Sequence, residues 1–346
     1  MPSISFREDI TPQEIIAIVY MAVLSVIAFA EALSFTVFVT YTEYKNPKRE
    51  PSLIRRIFSK FNFLLWTMFT MEGLWSSCAC YSIIRTHNNF SLIGPQAVQT
   101  FSFAIIKICY MHCCWAISVS ILRRNSGPAI FRAGSIIVTL APFVFFSEAT
   151  LFIVGIQKAS NSKIIITTDK IFVFVGGVGE VLFCVYLVYV FTKTLYRQRR
   201  DLDELSSEER VSTESRKSVP SVLGEDSQKQ QRQFRTISRH GIVSCCFCFL
   251  ALAVYSMELV NGLEEWINTF EVAVQGMVNC AVLTLFVMKV RLDFQRNEKN
   301  GLGERAAQVA IALTSNPECS KEQRKSVEPV RTLGRNSFNA KVITSS

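Results

Sequence analysis

A lysine and a histidine stand where charge is costly. Lys107 and His112 lie inside an otherwise apolar run, 97–124 (AVQTFSFAIIKICYMHCCWAISVSILRR), closed by Arg123 and Arg124. Glutamates are placed in the same way in other apolar runs: Glu31, Glu72, Glu148, Glu180, Glu258 and Glu271. An ionised side chain at the centre of a spanning helix costs about 2.5–3.5 kcal/mol or more unless it finds a partner. Lys107 must therefore face acids on other segments, with Glu148 and Glu180 as the two candidates. Such a pairing can be a fixed ion pair that orders a helix bundle, or the wall of a polar cavity. For Lys107 both roles stand open.

Distance from each segment end sorts these groups by depth. Glu31, Glu72 and His112 fall about ten residues from the same side, roughly 15 Å along a helix. A ligand entering from the far side seldom reaches that level, which suits a structural or switch role. Lys107, Glu148 and Glu180 form a second level, and Glu258 and Glu271 lie near the opposite rim. Lys107 and His112 are separated by about 140° around a helix and need separate partners. In the last apolar run Glu271, Gln275 and Asn279 stand at i, i+4 and i+8, one polar stripe that must face the interior. Tyr255 and Glu258 share a face in the run before it. Gly176, Gly177 and Gly179 flank Glu180 and permit close helix approach. The candidate ligand-binding residues are thus Lys107, Glu148, Glu180, Tyr255, Glu258, Glu271 and Gln275. Glu31, Glu72, His112 and Asn279 form the polar core below them. An acid-rich, aromatic-lined pocket of this kind suits a small amine; acids neutralised by Lys107 or by protonation suit an uncharged ligand.

The elements that must hold these groups are seven apolar blocks, at about 15–41, 61–84, 97–124, 129–156, 171–194, 241–262 and 270–290, each near the ~20 residues that cross a bilayer. The reading is an all-α membrane protein, a seven-transmembrane helix bundle over 15–292. A short N-terminal segment, 1–14, precedes it. A charged, Ser-rich cytoplasmic insert at 197–236 is expected to be largely disordered apart from helical extensions at its ends, and a polar tail at 293–346 to be disordered. The N-terminus lacks the basic and small-residue pattern of a cleaved signal peptide. Pro142 falls inside the fourth block and is expected to kink it.

Orientation follows from the positive charge. Of 37 lysines and arginines, 31 stand in the loops after blocks one and three, the insert and the tail, counted with the helix ends that flank them. Five stand in the N-terminus and the alternate loops. The positive-inside rule puts the N-terminus outside and the tail in the cytoplasm of a multi-pass plasma-membrane protein. The formal charge of +9 is therefore topological, with no clustering of the kind nucleic acid requires. The basic juxtamembrane segments suit a bilayer with an anionic inner leaflet. Ten of the eleven cysteines lie in apolar blocks and Cys319 in the tail, so no disulfide-bonded ectodomain is expected. Asn89-Phe90-Ser91 is a glycosylation sequon in an outer loop. Basic residues precede Ser218, Ser238, Ser326, Thr332 and Ser337, which suits phosphorylation by basophilic kinases.

No HExxH, GxSxG, P-loop or paired metal-ligand motif is present, so neither enzyme activity nor a cofactor is expected. The architecture resembles that of G-protein-coupled receptors: seven helices, the N-terminus outside, small outer loops, a variable third cytoplasmic insert and a Ser/Thr-rich tail. The motifs differ. Ile121-Leu122-Arg123-Arg124 stands in place of Asp-Arg-Tyr, and Asn279-Cys280-Ala281-Val282 in place of Asn-Pro-x-x-Tyr. The small ectodomain and Phe/Cys-rich helices are similar to divergent nematode chemoreceptors (serpentine receptors). The resemblance implies a small-molecule ligand outside and a heterotrimeric G protein inside, with Arg123, Arg124, Arg197, Arg199 and Arg200 at the coupling face. The rival reading is a proton-coupled or small-solute transporter, because membrane acids beside a lysine and a histidine can relay protons.

Overall fold

Proline and hydroxyl residues mark where the helices begin. Thr11 caps the first by a reciprocal arrangement: its backbone N–H donates to Glu14 Oε2 (2.8 Å), and the Glu14 N–H donates to Thr11 Oγ1 (3.3 Å). Pro12 occupies the first helical position, where a missing N–H costs nothing. Thr11→Ala should cost about 1 kcal/mol of local helix stability, read as faster amide exchange over the first turn with the rest of the protein unchanged.

The computed structural model describes residues 11–44, 54, 57–86, 93–125, 127–157, 163–212, 222–257 and 267–315. They form α1 (Pro12–Tyr44), α2 (Lys60–Thr86), α3 (Ile93–Asn125), α4 (Pro128–Gln157), α5 (Lys163–Ser212), α6 (Val222–Met257) and α7 (Ile267–Ser315). No strand occurs among the described residues. Six helices, all but α2, are long and apolar enough to cross a membrane, the architecture of a multi-pass helical membrane protein. Contacts divide the chain into two units, Met1–Asp293 and Phe294–Ser346. The first holds the helical bundle; in the second the described residues, 294–315, are helical.

Inside the bundle α3 is the hub. It packs against α2, α4, α5 and α6, and 56% of its apolar span is buried, against 22% to 33% in the other five apolar helices. Those others turn large side chains outward, among them Ile16, Leu33, Phe143, Phe174 and Leu182. So much exposed apolar surface is a liability in water and the ordinary covering of a helix in lipid. Hydroxyls on these faces bond inward to their own helix: Thr139 donates to Ser135 O (2.8 Å) and Thr150 to Phe146 O (2.8 Å), so neither is stranded against lipid.

α2 differs because it lies between α1 and α3. Its polar residues find partners there: Ser25 of α1 donates to Gly73 O (3.2 Å) and lies 2.7 Å from Ser77 Oγ. At Gly73 a Cβ would lie 2.8 Å from the Phe29 ring, so only glycine lets α1 approach this closely.

Helices run further than the apolar blocks. Of the insert 197–236, only 213–221 lies outside the described residues; α5 carries helix through Ser212 and α6 begins at Val222. α7 likewise continues to Ser315 in the segment read as tail. These extensions are rich in Glu, Arg, Lys, Gln and Ala, strong helix formers, and those at either end of the insert are the helical extensions the sequence suggests there. Pro142 stays inside α4, which continues past it.

Candidate functional site

Lys107 emerges from the middle of α3 into a cage of rings. Its Nζ lies 4.3 Å from the centroid of Phe103, 5.0 Å from that of Phe145 and 5.7 Å from that of Tyr255, all within cation–π range. Glu148 Oε1 of α4 completes the cage at 3.5 Å, with both side chains largely buried. Of the two acids expected to pair with Lys107, Glu148 makes this contact. Gly176 of α5 leaves room for it: a Cβ there would lie 3.2 Å from Glu148 Oε2 and 3.2 Å from the Phe145 ring. Gly177 and Gly179 have nothing within 4 Å of a Cβ, so close packing accounts for Gly176 alone of the three.

Around Lys107 opens a cavity of about 240 Å³. α2 lends Trp75; α3 lends Gln99, Phe103 and Lys107; α4 lends Phe145, Glu148 and Phe152; and Tyr255 and Glu271 come from α6 and α7. At its other end Gln99 Nε2 donates to Glu271 Oε1, and the Trp75 side chain also hydrogen-bonds this carboxylate. Beneath lies a smaller cavity of about 40 Å³ that shares Phe103, Lys107 and Tyr255 and adds Glu180 and Tyr110. Glu180 is buried and its Oε2 has no protein hydrogen-bond partner.

The structure thus brings Lys107, Glu148, Tyr255 and Glu271 to one cavity and Glu180 to its floor. Gln275 does not line it: fully buried, it accepts from Ser76 Oγ of α2 at 3.3 Å. Glu258 lies outside the described residues, as do Asn89, Ser218, Ser326, Thr332 and Ser337 and the side chains of Arg124 and Arg199.

The stripe on α7 has a simple geometry. A step of four residues turns a helix by about 40° beyond a full circle, so the stripe drifts as it descends. Glu271 meets Gln99 of α3, Gln275 meets Ser76 of α2, and Asn279 Nδ2 donates to Glu31 Oε2 of α1 at 3.2 Å. Glu72, almost fully buried, lies beside that last pair. His112 is placed elsewhere: its charged neighbour is Lys60, at the start of α2. Glu31, Glu72 and Asn279 therefore form one cluster, while His112 faces another side of α3.

Between the cavity floor and the arginine end of α3 lies a layer built on Tyr110. Its hydroxyl accepts from Ser244 Oγ (3.3 Å), which also lies 3.2 Å from Ala281 O, and sits 3.9 Å from Cys245 Sγ. Cys184 of α5 meets Cys245 and Cys248 of α6 here. Among the described residues no group of three or more His, Cys, Asp or Glu is placed to hold a metal ion. These thiols act as small buried packing groups. No family model, curated protein or solved structure matches the chain.

Gln99, Trp75, Phe103 and Phe145 were not among the residues expected at the site, yet the pattern that marks α7 recurs on α3: Gln99, Phe103 and Lys107 stand at i, i+4 and i+8. Beyond the thiol layer, Arg123 is exposed with its guanidinium 5.8 Å from the Phe131 ring, and Arg197 and Arg200 are exposed on α5. Ser238 differs from an accessible phosphorylation site: it is fully buried, and its hydroxyl lacks a protein partner.

Proposed function

We propose that the chain is a seven-transmembrane receptor with its N-terminus outside, binding a small extracellular ligand and signalling to a heterotrimeric G protein at the plasma membrane. The observation that carries this reading is the cavity around Lys107, assembled from α2 to α7 and floored by packed side chains. A ligand held there touches nearly every helix at once, so its binding energy can favour one arrangement of the bundle over another. In this reading α2 is the seventh span. At 27 residues it is about 40 Å long, more than the ~30 Å hydrocarbon core, and shielding by α1 and α3 explains its lower apolarity. The N-out orientation rests on the distribution of lysine and arginine.

The nematode-chemoreceptor resemblance fits a receptor with a small pocket and almost no ectodomain. Coupling would use the arginine-bearing ends of α3 and α5. Arg123→Ala combined with Arg124→Ala is expected to abolish guanine-nucleotide-sensitive co-purification with a Gα subunit while surface expression stays at the wild-type level. Solute or proton transport by the purified chain in liposomes, with no G protein present, would sink the receptor reading in favour of a carrier.

A further inference from the structure

Lys107 places a cation at one end of the cavity, and Glu271 stands at the other. Its ammonium is already engaged by Glu148 and by three ring faces, so the cage has its cation built in and offers no place for a second. Glu271, across the cavity, has no cationic partner among the described residues. What reaches it are N–H groups of Gln99 and Trp75. Both are donors, and they leave Glu271 with acceptor capacity turned into the cavity; an ammonium in contact with it favours the ionised form. Neutral donors orient that charge without cancelling it. A negative charge in an apolar pocket is stabilised most by an opposite charge brought into contact.

We infer that the ligand of this cavity is a small monovalent amine whose ammonium pairs with Glu271 while an apolar or aromatic body lies against Trp75, Phe103 and Phe152. The inference rests on the receptor reading for the same site and gives it a ligand class. Size agrees. A cavity of about 240 Å³ has room for a single-ring amine. Charge excludes carboxylate ligands, since the one cation that would receive them is occupied. Glu180 does not compete for the ammonium, because it lies in the floor, beneath Lys107.

The test uses the full-length chain in lipid nanodiscs and three probes that share a ring and differ at the tip: phenethylamine, 2-phenylethanol and 3-phenylpropionate. Equilibrium binding is expected to show phenethylamine at least tenfold tighter than the alcohol, with no saturable binding of the carboxylate. Glu271→Gln should bring the amine down to the level of the alcohol while leaving the alcohol unaffected. Equal affinity for amine and alcohol, tighter binding of the carboxylate, amine affinity retained in Glu271→Gln, or no saturable amine binding would each overturn the inference. Should Glu271→Gln not fold, the three-probe comparison on the unmodified chain decides alone. Nucleotide exchange on a Gα subunit is measured alongside. Amine binding with no exchange under any condition leaves the ligand class standing and removes the receptor reading, whereas basal exchange without amine binding does the reverse.

Discussion

Lys107→Met is expected to be the most damaging single substitution in the bundle, lowering stability by about 3–5 kcal/mol. Methionine keeps most of the lysine stem's packing, so the loss is electrostatic. Glu148 would remain in place with only 14% of its side chain exposed, facing the rings of Phe103 and Phe145 with no cation. Removing one member of a buried pair costs far more than removing both, because the survivor keeps its desolvation penalty and loses its compensation. The double variant Lys107→Met/Glu148→Gln should therefore recover more than half of the lost stability. Thermal unfolding in mild detergent would read both, and a double-mutant cycle separates the pair from packing. A Lys107→Met protein that melts like the wild type, or a double variant no better than the single one, would show that the 3.5 Å contact contributes nothing.

That prediction was half legible in the sequence. Lysine amid 25-odd apolar residues points to an acid, since leaving it bare in the membrane costs several kcal/mol. Which acid answers depends on helix rotation and on a neighbour's bulk, and neither is encoded locally. Glu148 meets Lys107 because Gly176 vacates the space beside it; Glu180, expected at much the same depth, lines the smaller cavity beneath. Depth counted in residues gives only a coarse level for a group and says nothing of its azimuth. His112, expected at the level of Glu31 and Glu72, has Lys60 as its charged neighbour instead.

Apolar length located the helices well where lipid dictates composition, and less well elsewhere. All six apolar helices coincide with blocks readable by eye, because a lipid-facing helix must be apolar around much of its circumference. α2 lies between α1 and α3 and carries Ser76 and Ser77, which bond to Gln275 and to Ser25 of its neighbours, while Thr67 and Thr70 bond to carbonyls of α2 itself. The aromatic half of the site was the least visible part. Phenylalanine occurs 27 times in the chain, so no single ring stands out, and Phe103 and Phe145 become distinctive only once Lys107 is seen above them. The polar half was visible because charge in a membrane is scarce.

Gly241→Ala carries the second large expectation, and it concerns the other end of the bundle. A Cβ at Gly241 would lie 2.4 Å from Cε2 and 2.9 Å from Cδ2 of Phe191 on α5. Phe191 is itself buried at 2% exposure, in the core shared by α3, α5 and α6, so its ring has little room to turn away. Alanine therefore forces α5 and α6 apart or drives Phe191 off its rotamer, at a cost of about 1–3 kcal/mol. Gly241 stands on the stretch of α6 that also bears Arg235 and Arg239, the cytoplasmic end in the proposed orientation. A cleft opening there between α3, α5 and α6 is what a G protein would need. The clash penalises the closed arrangement, in which the helices touch, more than an open one. The variant should thus melt at a lower temperature and yet show higher ligand-independent nucleotide exchange on Gα. Phe191→Leu, placed in the same chain, removes the ring atoms that clash and should return both quantities toward the wild type. Lower stability without raised exchange would mean that α5–α6 spacing does not govern coupling, and raised exchange that Phe191→Leu fails to reverse would place its cause outside this contact.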